Sequence, residues 1–199
     1  MKTFQCPKVH KSFEERLTDL IAKIGENMNL RRAAMLEVSN GVIASYVHNA
    51  CKPNLGKIGV LVALESNGDK AKLQELGKHI AMHVAASNPQ FLTIADVDQA
   101  SIDHEKAIFS EQAKASGKPE NIIEKMVEGR IKKYFDEVVL EEQAYIMDPD
   151  KKVKQIVADA AKEMGADIKL KAFVCFRLGE GLEKRNEDFA AEVAFQLKK

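Results

Sequence analysis

The sequence predicts an α+β fold, with helices packed on a small antiparallel sheet, and three observations predict it. Two short runs rich in β-branched residues, at 42–47 and 58–64, are separated by turn chemistry, the pattern of paired strands. On either side of them, apolar residues recur every three or four positions, the period of helices that bury one stripe. Two longer helical patterns then follow one another across a Ser-Gly-Lys-Pro turn at 116–119, which reads as a helical hairpin interrupting the run of core elements.

From Phe13, apolar residues fall at Leu17, Leu20, Ile21 and Ile24 on one helical face, with Ser12 as the cap and Gly25 as the C-terminal stop. Residues 29–38 read as extended. The strands at 42–47 and 58–64 flank a polar stretch, 49–56, that reads as a hairpin loop with His48 at its edge. Residues 69–87 carry Leu73, Leu76, Ile80 and Val84 at helical spacing and stop before Pro89. The hairpin helices span about 101–116 and 119–138, with Gly117 as a left-handed cap and Pro119 opening the second arm. On that arm Ile123, Val127, Ile131, Tyr134 and Val138 share one side beside Ile122 and Met126. The band is wider than one partner helix covers, so it calls for another surface. Asp148 and Pro149 suit the N-cap and first position of a helix carrying Val153, Ile156, Val157, Ala160, Ala161 and Met164 and stopped by Gly165. Ile168–Arg177 is the last strand, and Asn186 caps a terminal helix bearing Phe189, Val193 and Leu197.

The 199 residues hold 30 basic and 30 acidic side chains. That balance gives no electrostatic argument for a nucleic-acid partner, which requires a surplus of Lys and Arg. Cys6, Cys51 and Cys175 are odd in number and lack a C-x-x-C pair, so neither a disulfide framework nor a zinc knuckle is expected, and a reducing compartment fits. No apolar run has the length of a signal core or a membrane span. The expectation is a soluble intracellular protein.

The chemistry-bearing patterns are sparse. His79 and His83 stand one helical turn apart, as in a zinc pair, but Ile80 occupies the position of the activating carboxylate and both border the apolar stripe. Half-buried packing histidines are favoured over a metal site. The run Leu178-Gly-Glu-Gly-Leu182 fits neither dinucleotide-binding nor P-loop spacing and reads as a turn after a strand. No nucleophile elbow and no convincing Cys–His pair occurs. No catalytic residue, metal ligand or cofactor is therefore assigned.

Five stretches carry a resemblance. Lys23-Ile-Gly-Glu-Asn-Met-Asn-Leu-Arg-Arg-Ala-Ala-Met-Leu-Glu37, Lys78-His-Ile-Ala-Met-His-Val-Ala-Ala-Ser87, Ser116-Gly-Lys-Pro119, Glu124-Lys-Met-Val-Glu-Gly-Arg130 and Asp188-Phe-Ala-Ala-Glu-Val193 occur in this order. Together they resemble the elongation factor Ts family, which releases GDP from the translational GTPase EF-Tu. The resemblance implies a protein partner, EF-Tu, and no bond chemistry. Ser45-Tyr-Val-His48 matches the family stretch whose histidine contacts the GTPase. Ile24-Gly25 matches a pair that lies against its nucleotide-binding domain, and Ile146-Met147 a hydrophobic pair that touches one of its β-domains. Some members self-associate through the helical insertion, which makes Ile123, Val127, Ile131 and Tyr134 dimer-interface candidates.

Mapped on the family, residues 1–40 are a remnant of the first core half, 41–91 and 141–185 the second core half, 92–140 the inserted hairpin, and 186–199 the C-terminal helix. The family's small N-terminal helical module and its Thr-Asp-Phe-Val motif, whose Asp and Phe wedge near the nucleotide, have no counterpart. Asp188-Phe189 falls in the stretch matching the terminal helix. Residues 1–11 carry no pattern that places them. A fragment that binds EF-Tu but promotes exchange weakly is expected. The alternative is a non-exchanging interaction or dimerisation module built on the hairpin.

Overall fold

Ser12 starts the first helix, α1 (Phe13–Ile24), through a reciprocal capping box. Its hydroxyl accepts from the Glu15 N–H, and the Glu15 carboxylate accepts from the Ser12 N–H at 2.7 Å. Gly25, at φ +79°, closes the helix with its N–H on the Ile21 carbonyl at 2.8 Å. Such a left-handed position favours glycine. The computed structural model describes residue 5, residues 10–114 and residues 119–181. The chain falls into two compact units, Met1–Met35 and Leu36–Lys199, and α1 belongs to the first.

The second unit is built on a three-stranded antiparallel sheet formed by β1 (Gly41–Lys52), β2 (Leu55–Ser66) and β5 (Ile168–Arg177), with β2 in the middle. Strand periodicity sends Val60, Val62 and Leu64 of β2 to one face. In register beside them lie Tyr46, Ala44 and Val42 of β1, and Cys175, Phe173 and Leu170 of β5. A bulge on β5 makes the last pairing possible. Ala63 faces Ala172 but Leu64 faces Leu170, so Lys171 is skipped and pairs instead with the Glu65 carboxylate.

Helix α2 (Lys70–Ser87) covers this face. Asp69 caps it by accepting from the Ala71 and Lys72 N–H groups, which holds its carboxyl below the usual range. Leu73, Ile80, Ala81 and Val84 are buried against the strands. The helix comes close because Gly77 has no side chain: a Cβ there would lie 2.6 Å from Ala44 Cβ and 3.3 Å from Leu64 Cδ1. At its far end Asn88 takes the left-handed cap, and Arg177 of β5 donates to Asn88 Oδ1 at 2.8 Å and to the Ala85 carbonyl at 2.7 Å. Helix α5 (Val153–Met164) adds Val153 and Val157 to the same core and stops at Gly165.

Between α2 and α5 come the hairpin helices, α3 (Gln99–Lys114) and α4 (Glu120–Val138). Their root is closed by backbone bonds: the Gln90 and Phe91 N–H groups donate to the Val138 carbonyl, and the Leu140 N–H donates to the Phe91 carbonyl. A small second core of Val97, Val138 and Val139, with Phe91, Ile102, Tyr134 and Phe135, packs there. A two-stranded ribbon, β3 (Ala144–Tyr145) and β4 (Asp148–Lys152), leads into α5.

The α+β architecture agrees with the sequence, but four local readings are corrected. Residues 49–56 are not a loop: strand pairing runs on through a bulge to Lys52 opposite Leu55, leaving a turn at Pro53 and Asn54, where Asn54 takes a positive φ. Residues 29–38 form no regular element. Asp148 and Pro149 do not open a helix but lie in β4, paired across to β3, and α5 begins at Val153, with the Lys152 N–H donating to Gln155 Oε1 at 2.7 Å. His83 is fully buried rather than half-buried. The Gly117 cap and the terminal helix bearing Phe189, Val193 and Leu197 lie outside the described residues. Among the described residues no helix is long and apolar enough to cross a membrane.

The tight α2–sheet contact predicts that Gly77→Ala lowers stability by about 1–3 kcal/mol, although alanine favours helices. Gly129, mid-α4 with nothing near its Cβ position, is the control. Gly129→Ala should raise stability by about 0.5–1 kcal/mol. Denaturant midpoints of both variants check the pair.

Burial of His83 predicts a pH dependence. Burial disfavours its charged form and holds the ring below its ordinary value of 6.5, against the opposing hydrogen bond to Gln143. Between the folded value and 6.5 the unfolded chain takes up a proton that the native state refuses. Stability is therefore fully present above 6.5 and falls as pH drops below it, until the native ring also protonates. Thermal melts from pH 8 to 5 should show this decline, and it should vanish in His83→Phe.

Candidate functional site

Ile146 and Met147 form the turn between β3 and β4. Their side chains are 41% and 55% exposed, so they are presented to solvent rather than filling the core. The turn is held by one backbone and one side-chain hydrogen bond. The Ile146 N–H donates to His83 Nδ1 at 3.3 Å, and the buried Tyr145 hydroxyl donates to Met147 Sδ at 3.1 Å. Tyr145 lies against His83, with ring centroids 5.8 Å apart, and its burial raises the phenol above its ordinary range.

Charged groups brace the base of the ribbon. Lys152 donates to Asp136 Oδ1 and Glu142 Oε2, both at 2.7 Å, and Lys154 reaches Glu142 Oε1 at 2.6 Å. Burial alone would raise Glu142, but the two lysines together hold it below the usual carboxylate range. Asp136 and Glu142 raise Lys152 in turn. This network joins the end of α4 to the start of α5.

His48 lies within β1, not in a loop. It pairs with Ile58, which pairs with Arg177 on β5, and so falls on the helix-covered face of the sheet. Its side chain is nevertheless exposed, and the Tyr46 hydroxyl lies 3.0 Å from Nδ1. Ile24, 54% exposed, and Gly25 end α1 in the first unit. The structure thus gathers Ile146 and Met147 in one turn and carries His48 and the Ile24–Gly25 pair on other elements.

The apolar band of α4 divides in two. Ile131 is 8% exposed, and Tyr134 packs with the second core, so both are engaged within the chain. Ile123 and Val127 instead line an open groove of about 810 Å³ with Lys106, Ser110, Glu124 and Glu128. The Arg130 guanidinium, 5.9 Å from the Phe109 ring centroid, links the two helices.

The histidine pair does not converge on a metal. Both His83 nitrogens have partners within the fold, while His79 lines a shallow groove with Leu76, Ala160 and Met164. Among the described residues no group of three or more His, Cys, Asp or Glu side chains is placed to hold an ion. After β5, Gly179 and Gly181 take positive φ in a turn. Sequence reasoning missed Gln143 altogether. Its partner His83 was visible only as a stripe residue, because their contact spans 60 positions.

Comparison with known proteins supplies a second line of observation. The sequence model of the family described as Elongation factor TS matches residues 1–180, so residues 1–11, left unplaced by the sequence patterns, fall within the match. Elongation factor Ts of Rhodospirillum rubrum is 58% identical over 189 residues, covering 95% of this chain and 61% of that protein. That of Rhodospirillum centenum is 56% identical over 188 residues, covering 94% and 61%, and that of Caulobacter vibrioides 58% over 184 residues, covering 92% and 59%. The chain spans about three fifths of the length of these relatives. A family match over nine tenths of the sequence, joined to identities well above half, establishes that the chain belongs to the elongation factor Ts family.

Proposed function

We propose that this chain binds the translational GTPase EF-Tu in the cytoplasm and favours its nucleotide-free form, acting in guanine-nucleotide exchange without bond chemistry. The observation that carries the reading is the Ile146–Met147 turn, which offers two exposed apolar residues while the Ile146 N–H is held by His83 and the Met147 sulfur by the Tyr145 hydroxyl. Exposed apolar groups on an ordered turn suit a protein partner, because little further ordering is needed on binding. His48, beside Tyr46 at the sheet margin, and Ile24–Gly25, at the end of α1, supply the other contacts. Exchange follows by linkage: a protein that binds the empty GTPase more tightly than the GDP form weakens GDP binding by the same factor.

The 199 residues contain no Thr-Asp-Phe-Val, so this chain by itself should bind EF-Tu and release GDP slowly. Stopped-flow release of a fluorescent GDP from EF-Tu tests this, with elongation factor Ts of Rhodospirillum rubrum as the reference. Binding with release well below the reference rate is expected, and no binding refutes the proposal. His48→Ala should weaken association by about 1–2 kcal/mol, the scale of an interface contact, and His79→Ala should leave it nearly unchanged. Equal losses by calorimetry would remove His48 from the interface.

The groove between α3 and α4 favours a second reading, a dimerisation module that does not drive exchange. Ile123 and Val127 lie half-buried in it, and a second hairpin would complete a four-helix arrangement. Val127→Glu should then shift a dimer to monomer in sedimentation equilibrium without altering the melting of the core. A wild-type chain that stays monomeric at tens of micromolar, roughly where modest interfaces associate, would eliminate this reading.

A further inference from the structure

We propose that His83 and Gln143 are positioning residues that fix the Ile146–Met147 turn in its binding shape through one obligatory ring tautomer. The inference rests on the reading of that turn as a partner contact. It begins at the end of α4, where the Gln143 Nε2 amide donates to the Glu137 carbonyl at 2.7 Å and makes a longer 3.5 Å contact with the Ser87 carbonyl. Carbonyls only accept, so the amide nitrogen faces them and Oε1 faces the histidine. His83 Nε2 lies 2.9 Å from that oxygen and must carry the proton. Nδ1 is left as an acceptor, and the donor that meets it is the Ile146 N–H.

The direction of every bond in this chain is therefore set by backbone carbonyls at its start. The other tautomer satisfies neither end, because it would set a bare nitrogen against Gln143 Oε1 and a donor against the Ile146 N–H. The ring is 0% exposed, and among the described residues no buried side-chain nitrogen or oxygen lacks a partner. An error anywhere along the chain would thus strand a polar atom away from water. The arrangement also gives the His79–His83 spacing a meaning unrelated to metal. His83 faces inward to serve the turn, and His79 packs in a groove between α2 and α5.

The wild-type protein gives the first test. A long-range proton–nitrogen spectrum at pH 7.5 should show His83 as a neutral Nε2–H ring, and an Nδ1–H ring would overturn the proposal. His83→Phe keeps a ring but removes both bonds. In it the Ile146 amide should exchange with solvent about tenfold faster, the scale of one lost hydrogen bond, relative to amides of α2 that report global opening. Association with nucleotide-free EF-Tu should weaken by a similar factor. Unchanged exchange at Ile146 in a folded His83→Phe protein would overturn the assignment. Should that variant not fold, Gln143→Leu serves instead: Nδ1 keeps the Ile146 N–H, but the Nε2–H loses the acceptor that anchors the ring, and the Ile146 amide should exchange faster than in the wild type. Unchanged exchange at Ile146 in Gln143→Leu would show that Gln143 does not position the ring. Met147→Ala separates the two claims. If it leaves EF-Tu binding unchanged, the contact reading fails, while the tautomer and exchange results still decide the positioning role.

Discussion

The close seating of α2 on the sheet is the constraint from which the rest follows. Without a side chain at Gly77 the helix backbone settles against Ala44 and Leu64, and its stripe of Leu73, Ile80, Ala81 and Val84 reaches the β2 side chains. That depth puts His83 beneath the β3–β4 turn, and it brings the end of α2 within reach of Arg177. A helix lifted by even one methyl group would lengthen all these contacts together, since packed interiors transmit displacement rather than absorb it. Gly77 has a structural duty that its low helix propensity conceals.

Much of this was legible in the sequence because it is local. The Ser12 cap, the Gly25 and Gly165 stops, the apolar stripe of α2 and the final strand all depend on neighbours within a few residues. What failed was chemistry shared by two structures. Asp148–Pro149 suits a helix start, but it equally suits the exit from a tight turn, where proline's missing N–H costs nothing on a short ribbon edge. Only the pairing of Tyr145 with Asp148 decides between them. Likewise Asn49 to Lys52 look like loop residues until pairing with β2 extends the strand through a bulge. Gln143 gave no signal at all, since its value lies in a contact across 60 positions.

The proposed partner contacts differ in how firmly their own fold holds them. Ile146 and Met147 rise from a turn bonded to a buried ring and braced by the Lys152 network. His48 stands on a paired strand, with the Tyr46 hydroxyl 3.0 Å from its Nδ1. A rigid apolar contact contributes affinity without a large ordering cost, whereas a polar ring at a strand margin suits discrimination between partner states, because a misplaced partner leaves it unmatched. Exchange needs both properties, since only differential affinity between nucleotide states can move GDP.

The closed root of the α3–α4 insertion bears on how the chain reaches this fold. The central strand pairs Ser66 with Ile168, and more than a hundred residues separate them. Ordering that span as open coil would make the β2–β5 ladder slow to form, because loop closure precedes the reward of pairing. The helical hairpin shortens the route. Its contacts are local, and once Phe91 meets Val138 and Leu140 the chain beyond them has already returned to the core. Contact order alone would place the helices first, the root second and β5 last.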